Sequence, residues 1–158
     1  EFIGSIDKGF KQCLKKGPLA GFPINGVKLT INDGAAHSVD SSDNAFQQAA
    51  IGAFREGFAK AAPVLLEPIM SLEVVTPQQY LGDIIADLNS RRANIAQVED
   101  RGELRVVAAT APLSEMFGYA TQLRSSTQGR ATYTMQFSHY EDVPKSIADA
   151  IIAKVKGE

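Results

Sequence analysis

Apolar residues recur at helical spacing from Glu1 to Lys16, where Ile3, Ile6, Phe10, Cys13 and Leu14 form one stripe and Lys8, Lys11, Lys15 and Lys16 lie around the rest. Gly17-Pro18 ends that helix. A connection punctuated by Gly21 and Pro23 leads into the alternating run Val27-Lys28-Leu29-Thr30-Ile31, which predicts a strand. The polar stretch from Asp33 to Asn44 follows, and Asp40 to Asp43 offer side-chain oxygens to the start of a second helix. That helix is expected from about Asn44 to Ala62, with Phe46, Ala49, Ala50, Ala53, Phe54 and Phe58 on its buried face, and Pro63 closes it.

Beyond Pro63 the period changes. Val64 to Val75 reads as an extended segment, and a domain boundary is expected near Leu66. Thr76-Pro77-Gln78-Gln79 has the form of a capped helix start, with Leu81, Ile84, Ile85 and Leu88 as the apolar face beyond it. Ala93 to Glu99 and Leu104 to Ala111 predict two strands joined at Asp100-Arg101-Gly102. Pro112 introduces a helix through Met116, Phe117, Ala120 and Leu123, and Ala131 to Phe137 is an alternating strand. The order strand, helix, strand, strand, helix, strand is the split βαβ pattern, a four-stranded antiparallel sheet with two helices on one face. Asp142-Val143-Pro144 starts one more helix, carrying Ile147, Ala148, Ile151 and Val155, which needs a surface outside the four-stranded unit or along its edge. The fold class is α+β.

Composition narrows the chemistry. At 158 residues and 44% hydrophobic content the chain can bury one medium core or two small ones. No apolar run approaches bilayer length, and Glu1-Phe2-Ile3-Gly4 lacks a signal-peptide pattern, so a cytoplasmic protein without a membrane partner is the expectation. A chain opening inside a helix, with no Met and no cap, also reads as a piece of something longer. The single Cys13 excludes an internal disulfide, and His37 and His139 have no metal-ligand spacing, so no metal is expected. A net charge of −2 argues against bulk electrostatic capture of nucleic acid, leaving local basic patches.

Asp33-Gly34 and the polar residues beyond place His37 in a strand-to-helix loop. His37, Asp40 and Ser41 could in principle be a base, an orienter and a nucleophile, but neighbours along one loop need not meet and no G-x-S-x-G turn occurs. Neither G-x-x-x-x-G-K-[ST] nor a strand-borne G-x-G-x-x-G is present, so this chain should neither bind nor hydrolyse a nucleotide, and no enzyme activity is expected of it. Asp83 and Asp87 read as a solvated face beside Arg91, and Arg91-Arg92 as cations complementing a helix C-terminus. Arg124-Ser125-Ser126-Thr127-Gln128-Gly129-Arg130 is a helix-to-strand loop that could offer guanidinium, hydroxyl, amide and backbone donors to RNA phosphates and sugar edges, or be an ordinary polar loop.

Four stretches carry a resemblance: Gly17-Pro18-Leu19-Ala20-Gly21-Phe22-Pro23, Asp33-Gly34 with His37 and Val39-Asp40-Ser41-Ser42, Leu66-Glu67-Pro68-Ile69-Met70, and Glu115-Met116-Phe117-Gly118-Tyr119-Ala120-Thr121 with Leu123-Arg124-Ser125. In order and over essentially the whole chain, they resemble the C-terminal part of the elongation factor G family of translational GTPases. The resemblance implies that residues 1–65 are the second half of domain IV and residues 66–158 the ferredoxin-like domain V with a C-terminal helix packing back towards domain IV. GTP and Mg would belong to a nucleotide-binding domain absent here, leaving this chain without a cofactor.

The resemblance further implies a monomer whose partner is the ribosome. His37, Ser38, Asp40 and Ser41 would form a tip entering the small-subunit decoding centre beside transfer RNA and messenger RNA. Arg124, Ser125, Ser126, Gln128 and Arg130 would face large-subunit RNA and the proteins of the factor-binding centre. Many members have an aromatic residue just before the tip histidine, whereas Ala36 stands here. Two rivals to a translocase are a ribosome-recycling or ribosome-protection paralogue with the same domains, and a non-ribosomal ferredoxin-like module with a regulatory ligand.

Overall fold

Two helices that satisfy their own backbone hydrogen bonds begin the molecule, α1 (Ile3–Lys15) and α2 (Asp43–Lys60). The computed structural model describes residues 1–157 as two compact units, one made of Glu1–Val64 and the segment from Pro144 onward, the other of Leu65–Val143. No helix among the described residues is long and apolar enough to cross a membrane.

In the helical unit, Phe2 stacks on Phe46 with ring centroids 4.3 Å apart, and Phe10 meets Phe54 edge-on at 5.8 Å. A step of eight residues on one helix thus matches eight on the other, so α1 and α2 run in the same direction and need the long return connection of residues 16–42. Between the two aromatic pairs lies buried Gly9, where a Cβ would come 2.6 Å from the Gln47 carbonyl oxygen and 3.0 Å from its Cα. This close approach turns Gln47 and Ala50 inward and leaves Ala49 and Ala53 exposed, correcting the expected stripe. Ile3 is exposed as well, because Phe2 takes the place over Phe46.

The predicted strand at Val27–Ile31 does not form. Its alternating side chains Val27, Leu29 and Ile31 stay 43–44% exposed, and the run pairs with no strand among the described residues. Period 2 supplies a face, but a strand also needs neighbouring backbone donors and acceptors. Helix α5 (Lys145–Lys156) half-buries Ile147, Ala148, Ile151 and Ile152, while Val155, expected on that face, is exposed.

The sheet unit is built on β1 (Leu66–Pro77), which pairs antiparallel with β3 (Leu104–Pro112) on one side and β4 (Thr132–Asp142) on the other; β2 (Asn94–Arg101) pairs with β3, giving the order β2-β3-β1-β4. Helices α3 (Leu81–Ser90) and α4 (Tyr119–Ser126) contribute Ile84, Leu88, Tyr119 and Leu123 to a core with Leu72, Val74, Val107 and Ala109. The architecture is the expected α+β fold with a four-stranded antiparallel sheet. Gly102, at φ +63°, begins the two-residue turn between paired Arg101 and Leu104.

Two local expectations fail here. Thr76 caps nothing: it is fully buried in β1, its hydroxyl donates to the Pro77 carbonyl at 3.0 Å, and the ladder continues to Pro77↔Leu104 before a 3₁₀ turn, Gln78–Tyr80, leads into α3. The helix expected from Pro112 is split instead by Gly118 at φ +77°, so a short turn over Leu113–Glu115 precedes α4 and Phe117 points to solvent.

Candidate nucleic-acid interface

The return connection reaches α2 through a closed turn. The His37 backbone N–H donates to Ser41 Oγ at 2.6 Å, and the Ser41 N–H donates back to the His37 carbonyl at 3.1 Å. Ser42 then caps α2, accepting from the Ala45 N–H at 3.1 Å. At the near end Asp33 Oδ1 accepts from the Gly34 N–H at 2.8 Å, and Ser5 Oγ donates to Asp43 Oδ1 at 2.7 Å, tying the first turn of α1 to that of α2.

This geometry answers the hydrolytic idea. Ser41 Oγ is engaged with the backbone of His37 and forms no bond to its ring, so the pair is a loop clasp rather than a base and a nucleophile. The loop presents His37, Ser38 and Asp40, all exposed, on a short turn, with Ser41 half-buried beneath. At its apex stands Val39, 95% exposed, which the sequence placed in the matching stretch but not among the contact residues. The signal was present as one β-branched apolar residue inside an otherwise polar run.

The second candidate, Arg124 to Arg130, is partly helix. Arg124, Ser125 and Ser126 form the last turn of α4, correcting the expectation of a loop. The missed anchor is Thr127, fully buried, whose hydroxyl donates to the Leu123 carbonyl at 2.6 Å and accepts from the Ala131 N–H at 3.3 Å. The chain then reverses through two left-handed residues, Gln128 at φ +53° and Gly129 at φ +74°, and the Gly129 N–H donates to the Arg124 carbonyl at 2.9 Å. Arg124, Ser125, Gln128 and Arg130 stay exposed around this turn, with the Arg130 guanidinium 5.7 Å from the Tyr80 ring centroid. Ser126 is half-buried and its hydroxyl donates to the Leu123 carbonyl at 3.3 Å.

Arg91 and Arg92 do more than complement a helix end. Arg92 grips Glu67 with two bonds of 3.0 and 3.1 Å and Glu115 with a third of 3.1 Å; the hydrogen bond to Glu67 leads in holding its proton more tightly than usual. Arg91 bonds Asp87 at 3.0 Å and the carbonyls of Glu115 and Phe117 at 2.7 and 3.2 Å, while its guanidinium lies 5.1 Å from the Tyr119 ring centroid. Both are committed to holding the turn before α4 against α3 and β1. Asp87 and Arg91, expected as part of a solvated face, are instead a half-buried ion pair, and only Asp83 stays exposed.

Fold and exposed turns define an α+β module whose two units each offer one ordered polar loop. Residues 1–62 match the family description "Elongation factor G, domain IV", and residues 64–151 match "Elongation factor G C-terminus". The chain belongs to the elongation factor G family. A solved structure from Thermus thermophilus is 45% identical and superposes with a TM-score of 0.88 over 99% of this chain. This chain spans 24% of that protein's length.

Proposed function

We propose that this chain is the ribosome-facing C-terminal portion of a translocase of the elongation factor G family, with residues 1–65 as the second half of domain IV and residues 66–158 as domain V. The observation that carries the reading is the His37 loop, a short clasped turn that projects His37, Ser38, Val39 and Asp40 from the start of α2 in a chain matching the family over both of its parts. Such a turn can enter the decoding centre beside transfer RNA and messenger RNA. It then favours the translocated state through differential contacts, with no covalent bond made or broken. Arg124, Ser125, Gln128 and Arg130 would meet large-subunit RNA, and Ser126, its proton already donated, would contribute as an acceptor. Nucleotide chemistry would lie in a domain outside these residues, and the working compartment would be the cytoplasm.

Single-round translocation by a full-length factor carrying this C-terminal portion tests the reading. His37→Ala is expected to slow movement about tenfold, a loss of about 1.4 kcal/mol, with ribosome-stimulated GTP hydrolysis unchanged. Equal translocation rates in the two proteins would shift the assignment to a recycling or protection paralogue and leave His37 as part of the scaffold.

A further inference from the structure

Three cations meet in the helical unit at the end opposite the His37 loop. The Gly17-Pro18-Leu19-Ala20-Gly21 connection, Arg55 of α2 and the end of α5 line a cleft of about 370 Å³, with Lys16, Arg55 and Lys156 on its walls. A second hollow of about 110 Å³ adjoins it and shares Lys16, Pro18 and Arg55. Backbone hydrogen bonds close the floor: the Gly17 N–H donates to the Phe22 carbonyl at 2.8 Å, the Gly21 N–H to the Gly17 carbonyl at 2.9 Å, and the Ile24 N–H to the Leu14 carbonyl at 2.8 Å. A Cβ on Gly17 would lie 2.9 Å from Ile24 Cγ1 and 3.1 Å from the Phe22 carbonyl oxygen, so a larger residue there would have to displace Ile24. The aliphatic stem of Lys16 lies over Gly21, its Cε 3.4 Å from where a Cβ would be.

None of the three cations has a carboxylate partner among the described residues; the ion pairs of this unit are Lys11–Asp7, Lys60–Glu56 and Lys145–Asp149. Lys16 and Lys156 sit at helix C-termini, where the helix dipole alone accounts for a cation. Arg55 has no such account. It lies within α2, and the residues three and four positions away, Ile51, Gly52, Phe58 and Ala59, offer it no acid. We infer that this cleft seats the phosphate backbone of an RNA strand, with Arg55 as the bidentate contact and Lys16 and Lys156 as flanking point charges. Its assignment to ribosomal RNA rests on the function proposed above.

The test is binding of the protein to a fluorescein-labelled RNA duplex of about 20 base pairs, followed by anisotropy between about 50 and 200 mM salt. The Lys16→Gln, Arg55→Gln double variant alters exposed side chains only, and circular dichroism checks that its helices are kept. It is expected to bind about tenfold more weakly at the low-salt end, with a salt slope shallower by nearly two; Arg55→Lys keeps the slope. Unchanged affinity and slope in the double variant, or no binding by the unaltered protein, overturns the inference. Displacement of the RNA by poly-L-glutamate as effectively as by unlabelled duplex overturns it in favour of an acidic polypeptide. Co-sedimentation with ribosomes separates the two claims. Cleft-dependent duplex binding by a protein that ignores ribosomes supports the cleft and defeats the ribosomal reading.

Discussion

The two units of this chain solve stability in different ways. Apart from Ala20, every buried hydrophobic residue among those described lies in the sheet unit, where α3 and α4 cover one face of a four-stranded ladder. The helical unit rests on half-buried aromatic pairs and the glycine contact at Gly9. Charge divides the same way: residues 1–64 and 144–158 carry ten Lys/Arg against eight Asp/Glu (+2), and residues 65–143 carry six against ten (−4). A unit of modest core that keeps its polar loops and cations outward is suited to meeting a polyanion, whereas the denser unit is suited to holding its shape.

The largest expected effect would break or establish that contrast. Leu88 is wholly buried among Ile84, Val107 and Leu123, so Leu88→Ala should cost about 4 kcal/mol through lost transfer energy and the cavity left behind. Phe58 of α2 is only half-buried, and Phe58→Ala should cost less than about 2 kcal/mol. Hydrogen exchange, read in the amides of β1 and β3 for the first and of α2 for the second, gives both numbers. Equal costs would show that the helical unit is packed as tightly as the sheet.

The next effect depends on pH. Tyr119 is buried, with its hydroxyl unpartnered among the described residues. Burial first, then the nearby Asp87 carboxylate, pushes its phenol up to about 12 from the ordinary 10.0. Between these values the unfolded chain has released the proton and the folded chain still holds it. The stability is therefore complete below about pH 10 and falls as pH rises through about 12, by somewhat less than 3 kcal/mol. Tyr119→Phe should remove that alkaline loss and change neutral stability by less than about 1 kcal/mol, since no hydrogen bond is given up. Urea unfolding at about pH 8 and pH 11 measures both; an identical alkaline loss in the phenylalanine form would place its origin elsewhere.

How much of this was legible follows from which interactions are local. Helices α1, α2 and α3 could be read because helical spacing carries its own pairing partners, and β2 and β3 because they meet in one hairpin. Strands β1 and β4 were legible through their alternation and the split βαβ pattern, although they pair across some seventy residues. Val27 to Ile31 has the same alternation as β4 and no ladder, because nothing in a run of residues states whether a neighbour is present. The exposed polar residues around His37 were legible as a loop between elements, whereas Arg124 to Ser126, read as loop, close α4 instead. The residues that fix their shape, Thr127 through its bond back to Leu123 and Ser41 through its bond to the His37 amide, were not, since each replaces an expected role with a local backbone bond. Gly9 was invisible for a related reason: its importance lies in the Gln47 backbone some forty residues away.

That glycine gives the smallest and most discriminating test of the helical unit. Gly4 and Gly9 lie on the same helix, and alanine is favoured over glycine in a helix interior by about 1 kcal/mol. At Gly4 nothing stands within 4 Å of the new Cβ, so Gly4→Ala should stabilise the unit by up to that amount. At Gly9 the new atom would sit 2.6 Å from a backbone oxygen that cannot rotate away, and α1 must shift off α2. Overpacking of this kind costs about 1–3 kcal/mol, enough to cancel the propensity gain and leave Gly9→Ala destabilised by about 1 kcal/mol. Thermal unfolding followed by the helical dichroism signal should therefore move in opposite directions for one substitution made twice, five residues apart. A rise in both would mean that α1 does not lean on α2 through Gly9, and that the aromatic pairs alone hold the two helices together.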